Sequence, residues 1–70
     1  MRLRELRVQR LLTLSQLARL AHMNRWPIQA IELGHNRPRF TTIRRVAAAL
    51  DVDPLEVDEF RTTIEELGES

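Results

Sequence analysis

The stretch NRWPIQAIELGHNRPRF, residues 24–40, gathers side chains that bind ligands through hydrogen bonds, stacking and charge. Arg25, Trp26 and Gln29 bring a guanidinium, an indole and an amide together, and two further arginines follow in the next turn. Guanidinium groups make forked contacts with phosphate or carboxylate groups. The stretch therefore predicts that these side chains contact a partner molecule.

Residue types that could assemble a catalytic or metal site are scarce. The chain of 70 residues has two histidines, His22 and His35, and no cysteine. Without thiols there is neither a disulfide framework nor a thiolate metal site. No paired carboxylates are placed for acid–base chemistry. We therefore expect no enzymatic activity, no metal and no cofactor.

The helix that carries these side chains begins at an unusual signal. Proline is tolerated only in the first turn of a helix, where its missing N–H would have no partner. Pro27 therefore predicts Asn24 as the N-cap of a helix over about 25–33, ended by Gly34. The inward-facing residues of this helix are Ile28 and Ile31.

The whole chain is predicted to be all-α and to form one small domain. Aromatic residues make up 4% of the sequence, and apolar residues recur at spacings of three and four, which is typical of amphipathic helices. A chain of this length has room for a single modest core. The predicted helices are about 2–10, 14–21, 25–33 and 41–50, followed by a helical segment over about 54–67.

Two further helix starts carry capping signals. Thr13 and Gln16 form a Thr-x-x-Gln capping box. Asp53 is predicted to cap the last segment, with Pro54 in the first position and Glu56 completing a second box. Outside the third helix, the residues predicted to face inward are Leu3, Leu6, Leu17, Ala18, Ala21, Ile43, Val46, Ala47 and Leu50.

An apolar seam follows in the last segment. Phe60, Ile64 and Leu67 lie four and three residues apart, so they share one helix face. This seam packs either on its own domain or on a second copy of the chain, and we take it as the candidate dimer seam.

Charge is segregated along the chain. Residues 1–50 hold ten arginines and two acids, a net charge of +8, whereas residues 51–70 hold eight acids and one arginine, a net charge of −7. This pattern favours a polyanion-binding face on an otherwise acidic body. Two plainer interpretations are solvated charge on helix faces and an arginine bias set by a GC-rich genome.

Targeting signals are not evident. No apolar run approaches the roughly 18 residues that span a bilayer, and the N-terminal MRLRELRVQR lacks the apolar core of a signal peptide. We expect a cytoplasmic protein that does not enter membranes.

The connection between the second and third helices is only HMN, residues 22–24. It suits two helices that cross steeply. Residues 3–57 resemble the Cro and phage-repressor type helix-turn-helix family, also called the xenobiotic-response-element (XRE) type. The motifs that carry the resemblance are LRELR, LARLA, IQAIELGHNRP, TTIRRVAAALDV and DPLEV.

The resemblance implies a five-helix, lambda-repressor-like domain that binds double-stranded DNA and regulates transcription, usually as a homodimer. It implies a repressor or autoregulator on a palindromic operator, with the third helix in the major groove. The acidic residues Asp58, Glu59, Glu65, Glu66 and Glu69 would lie away from DNA. Carried over residue by residue, the base-reading positions are Arg25, Trp26, Gln29 and Ala30, and the phosphate-contacting positions are Thr13, Asn36, Arg37 and Arg39.

The chemistry of the implied base-reading residues is suitable. An arginine fork fits guanine O6 and N7, a glutamine amide fits adenine N6 and N7, and an indole can cover a thymine methyl. Two alternatives stay open: Trp26 covers a helix end or the core, and Gln29 simply faces solvent.

Glu32 lies at the edge of the buried face, where a lone carboxylate is unfavourable. Arg7, one residue after the inward Leu6, is its best partner. The family has an Arg–Glu ion pair at the matching positions, so the resemblance implies a structural ion pair between Arg7 and Glu32 that orients the recognition helix.

Several residues depart from the family pattern. Leu11 stands where glycine commonly ends the first helix at positive φ, and Leu14, His22, Ala30 and Leu33 replace smaller or more polar residues. A second hypothesis is therefore a protein-interaction module with weak or no DNA binding. Its patch would be Leu14, Trp26 and Leu33, and its partner a toxin or another regulator.

Overall fold

A computed structural model describes residues 1–68, which form five α-helices, one 3-10 turn and no strand. The predicted all-α class is confirmed. Among these residues, no helix combines the length and apolar character needed to cross a bilayer. The helices are α1 (Leu3–Gln9), α2 (Leu14–Leu20), α3 (Arg25–Glu32), α4 (Phe40–Leu50) and α5 (Asp58–Gly68), with the 3-10 turn Pro54–Glu56 before α5.

The start of α2 follows the predicted capping box. The Thr13 hydroxyl accepts a hydrogen bond from the Gln16 amide at 3.1 Å, and the Thr13 amide donates to Gln16 Oε1 at 2.8 Å. The start of α3 is only partly as expected. Asn24 occupies the N-cap position with extended backbone, but its side chain accepts no capping hydrogen bond.

The C-terminal segment consists of two elements, not one. Asp53 Oδ1 accepts a hydrogen bond from the amide of Leu55 at 2.9 Å, not from that of Glu56, so the second predicted capping box does not form. Val57 has an extended backbone (φ −96°, ψ 117°) and is fully buried. The extended, buried Val57 therefore lies between the 3-10 turn and α5.

The core is built from the residues predicted to face inward, and every one of them is buried. Phe60 is fully buried in the same core, and Ile64 packs against it from a half-buried position. The predicted seam is corrected here, because Phe60 lies inside its own domain and only Leu67, 52% exposed, lies outside. The core cluster comprises Leu3, Leu6, Leu17, Ala18, Ala21, Ile28, Ile31, Ile43, Val46, Leu50, Val57 and Phe60.

Left-handed backbone follows four of the helices. Leu11 (φ 57°) lies just after α1, His22 (φ 57°) after α2, Gly34 (φ 74°) after α3 and Asp51 (φ 55°) after α4. Glycine adopts this conformation without steric cost, whereas other residues are disfavoured there by roughly 1 kcal/mol or more. The chain thus tolerates strain at three of these turns.

The strain can be measured with a pair of substitutions. Gly34→Ala should lower the free energy of unfolding by about 1 kcal/mol. A Cβ at this position would meet no atom within 4 Å, so the loss comes from the backbone alone. Leu11→Gly should raise the free energy of unfolding by about 0.5 kcal/mol, because glycine relieves the strain of positive φ. Since Leu11 is 88% exposed, the substitution loses little buried surface. Urea denaturation measures both, and a Gly34→Ala variant as stable as the wild type would contradict the argument.

Candidate nucleic-acid interface

The turn between α2 and α3 is braced from both sides. The Met23 amide donates to the Ala18 carbonyl at 3.0 Å, which closes the end of α2. Arg45 Nη1, on α4, donates to the His22 carbonyl at 3.1 Å. Since α2 and α3 also pack on each other, these bonds hold α3 at a fixed angle to α2, with its outer face exposed.

A second brace joins α3 to α1 and contains the predicted ion pair. Arg7 Nε lies 2.8 Å from Glu32 Oε2, and Arg7 Nη2 lies 3.0 Å from Glu32 Oε1. Arg7 Nη1 donates to the Leu12 carbonyl at 2.9 Å. The two side chains are only 11% and 6% exposed. The hydrogen bonds to Glu32 raise the pKa of Arg7 above its ordinary value.

The polar groups of this brace all have hydrogen-bond partners. Among residues 1–68, no buried side-chain nitrogen or oxygen lacks a hydrogen-bond partner. A forked pair with satisfied hydrogen bonds has the geometry that a nearly buried ion pair requires. The Arg7 guanidinium therefore links α1, the turn after it and the C-terminal end of α3.

Next to α3 lies an open groove of about 800 Å³. It runs between α3, the loop that follows and the start of α4. The groove brings together two predicted base-reading residues, Trp26 and Ala30, and three predicted phosphate-contacting residues, Asn36, Arg37 and Arg39. Its lining residues are Trp26, Pro27, Ala30, Ile31, Asn36, Arg37, Pro38, Arg39 and Thr42.

The remaining predicted contact residues do not line the groove. Arg25 is exposed beside it, with its guanidinium carbon 4.9 Å from the centroid of the Trp26 ring. Gln29 is half-buried on α3, and Thr13 is exposed at the start of α2, where its hydroxyl is engaged in the capping box. Arg25 and Trp26 therefore form a contact that their types alone did not reveal.

Exposure bears on the interpretations of the apolar residues. Trp26 is 64% exposed, so it is not part of the core of its own domain, whereas the interpretation that it covers a helix end is compatible with this exposure. Leu33, at the end of α3, is 59% exposed, whereas Leu14 is half-buried and packs against the core. The second hypothesis is corrected at Leu14, because most of that side chain is not available to a protein partner.

The acidic residues of α5 take unexpected positions. Glu66 Oε2 lies 2.6 Å from Arg37 Nη1, so a carboxylate lies beside the groove and not away from it. The two side chains are 42% and 77% exposed. This pair was missed because no spacing in the sequence connects the loop before α4 with the end of α5. Glu69 lies outside the described residues.

Two other acids of α5 bind the start of α1. Glu59 Oε1 accepts a hydrogen bond from the Leu3 amide at 2.9 Å, which satisfies an N–H that α1 itself cannot pair. Asp58 Oδ1 lies 2.9 Å from the amino group of Met1. That hydrogen bond holds the pKa of the Asp58 carboxyl below its ordinary value. These contacts fix α5 against α1.

The fold and the groove define a helix-turn-helix protein. A family model described as "Helix-turn-helix" matches residues 3–57, the span recognised in the sequence. The chain belongs to this family, the Cro and phage-repressor or XRE type of DNA-binding regulators. Searches of curated proteins and of solved structures gave no significant match.

Removal of one partner tests the brace between α1 and α3. Glu32→Ala should lower the free energy of unfolding by about 3 kcal/mol, because Arg7 would remain nearly buried without its counter-charge. The paired change Arg7→Met with Glu32→Leu should recover most of that loss, since an apolar pair can replace a buried ion pair. Urea denaturation followed by circular dichroism measures both.

The exposed pair of Arg61 and Asp58 is the control for this comparison, at 3.3 Å and with side chains 52% and 44% exposed. Arg61→Ala should change stability by less than about 0.5 kcal/mol. If Glu32→Ala were equally mild, the orientation of α3 would not depend on the ion pair.

Proposed function

We propose that the protein is a sequence-specific transcriptional repressor or autoregulator that binds a palindromic operator as a homodimer. The observation that carries the proposal is the groove, in which exposed residues of α3 and arginines of the next loop lie side by side. A helix presented in this way enters the major groove, and the flanking loop follows the sugar–phosphate backbone.

Base reading is assigned to the outer face of α3. Arg25 would pair with guanine O6 and N7, and Gln29 with adenine N6 and N7. Trp26 and Ala30 would supply apolar surface beside these contacts. All four belong to the helix that the Arg7–Glu32 pair braces from behind, so the base-reading atoms share one rigid support.

Phosphate contacts are assigned to the loop between α3 and α4 and to the start of α2. Asn36, Arg37 and Arg39 are exposed in that loop, and Thr13 precedes α2. Such contacts supply affinity and set the register on DNA without reading sequence. The net charge of +8 over residues 1–50 supports the same assignment.

A dimer would place two copies of α3 about one helical turn of DNA apart. Because Phe60 is buried within its own domain, the proposed contact uses the exposed end of the seam at Leu67, with the half-buried Ile64 beside it. We also propose that the chain forms a single domain, which dimerises as a unit.

The deciding experiment selects ligands from random duplex DNA at several salt concentrations and sequences what is retained. An enriched palindrome, with a complex mass of two chains per duplex, supports the proposal and gives the half-site spacing. Binding without enrichment, or no binding, overturns it. In the latter case the exposed Trp26 and Leu33 favour the protein-interaction module instead.

Loss of a phosphate contact should appear in the salt dependence. Arg37→Ala and Arg39→Ala should each weaken binding to all sequences and reduce the slope of log K against log salt by roughly one unit. Arg61→Ala, on the acidic α5, is the charge-matched control and should leave the slope unchanged. An unchanged slope for either loop variant would remove that arginine from the phosphate contacts.

Whereas loss of Arg37 should weaken DNA binding, release of Arg37 from Glu66 should strengthen it. For Arg37 to reach a phosphate, its ion pair with Glu66 must open, so Glu66→Gln should strengthen DNA binding. An exposed pair of this kind is worth about 0.2 to 1 kcal/mol, or up to about 5-fold in affinity. The gain should shrink as salt screens the pair.

Glu65→Gln is the matched control, because it removes the same charge from the neighbouring position of α5. Titration of the selected operator at low and high salt compares the two variants. Equal gains from both would mean that only net charge matters. No gain from Glu66→Gln would mean that Arg37 does not exchange its partner.

A further inference from the structure

Arg25 and Trp26 are consecutive residues in the first turn of α3, and the Arg25 guanidinium lies over the Trp26 ring. The guanidinium carbon lies 4.9 Å from the centroid of the indole ring. This distance lies within the range of a cation–π contact, for which tryptophan is the most favourable ring and arginine the more frequent cation. Both side chains are exposed, so the contact exists at the surface that the proposed function turns toward DNA.

The contact with Trp26 lowers the entropy cost of fixing the Arg25 side chain in one pose. A free arginine side chain samples many rotamers, and about 2 kcal/mol of rotamer entropy opposes its fixation in one pose. A planar fork that already rests on a rigid ring loses less freedom when it forms two parallel hydrogen bonds. The indole is a rigid ring attached to the first turn of α3, next to Pro27, whose φ is fixed, so the backbone that carries it has little freedom.

Trp26 has a second contact surface, because it also lines the groove while Arg25 does not. Arg25 is therefore outside the groove whose lining includes Arg37 and Arg39, and its fork is assigned to a base edge.

We infer that Trp26 is a positioning residue for Arg25: it holds the guanidinium by stacking, and the two residues recognise one G·C pair as a unit. Arg25 makes the bidentate contact to guanine O6 and N7, and Trp26 acts through Arg25, not through a base of its own. The inference rests on the proposed function and deepens it by giving Trp26 the role of positioning Arg25 on its guanine, in place of a base contact of its own.

The two roles of Trp26 have different consequences. An indole that covered a thymine methyl would affect a base pair of its own, and its effect would persist without Arg25. An indole that holds Arg25 affects the guanine that Arg25 reads, and its effect disappears when the fork is removed. A double-mutant cycle separates these cases.

The experiment uses the 70-residue chain and the duplex that the wild type enriches, with each base pair substituted in turn. Arg25→Lys keeps the charge but loses the fork, so it should reduce the preference for one G·C pair by about 5- to 150-fold. Trp26→Leu should reduce the preference at the same pair by about 2- to 5-fold. The double variant should discriminate no worse than Arg25→Lys alone.

Two further variants complete the design. Trp26→Phe keeps an aromatic face and should retain most of the preference that Trp26→Leu loses. Leu33→Ala removes an equally exposed apolar side chain from the end of α3 and should leave the preference at every position unchanged. Circular dichroism confirms that each variant folds.

Four outcomes count against the inference. A Trp26→Leu effect at a different base pair, or effects of Arg25→Lys and Trp26→Leu that simply add, would show that Trp26 acts on its own. An enriched sequence whose recognition is unchanged by Arg25→Lys would overturn the inference while the proposed function stands. A wild-type chain that enriches no sequence overturns the proposed function itself.

Discussion

The ion pair between Arg7 and Glu32 holds the rest of the interface in place. Two charges that are nearly excluded from water must stay together, because separation would leave each one buried and unpaired. Since Arg7 also binds the Leu12 carbonyl, the same guanidinium fixes α1, the turn before α2 and the end of α3. Together with the buried Ile28 and Ile31 and the bonds at the turn between α2 and α3, this constraint sets the direction of α3, on whose outer face the proposed base contacts lie.

Local signals explain why so much of the fold could be predicted. The bonds between Thr13 and Gln16 join residues three apart, and the buried stripes follow the helical repeat. Prediction was wrong where the tertiary structure overrides such signals. Asp53 caps the 3-10 turn that it precedes, but the extended backbone of Val57 separates that turn from α5. Asn24 occupies the predicted cap position without making the bond that its side chain offers.

The candidate site was predicted by residue type but not by arrangement. Sequence reasoning named Trp26 and Arg37, because their types suit contact with nucleic acid and the family motif covers them. It did not reveal that Trp26 supports Arg25 or that Glu66 pairs with Arg37. The first contact depends on rotamers within one turn. The second depends on where α5 packs, which is set by core contacts of Phe60 and by the bond of Glu59 to α1.

The pairing of Arg37 with Glu66 has a consequence for target search in the proposed function. The Glu66 carboxylate pairs with Arg37 as a phosphate would. This ion pair must therefore break whenever Arg37 binds a phosphate, whatever the DNA sequence. The opposing free energy is the same on operator and non-operator DNA, so the ratio of the two affinities is unchanged. Residence times on both kinds of DNA shorten, including that on the genomic background, where binding is chiefly electrostatic. An acid on the last helix thereby favours hopping between sites over prolonged retention at wrong ones.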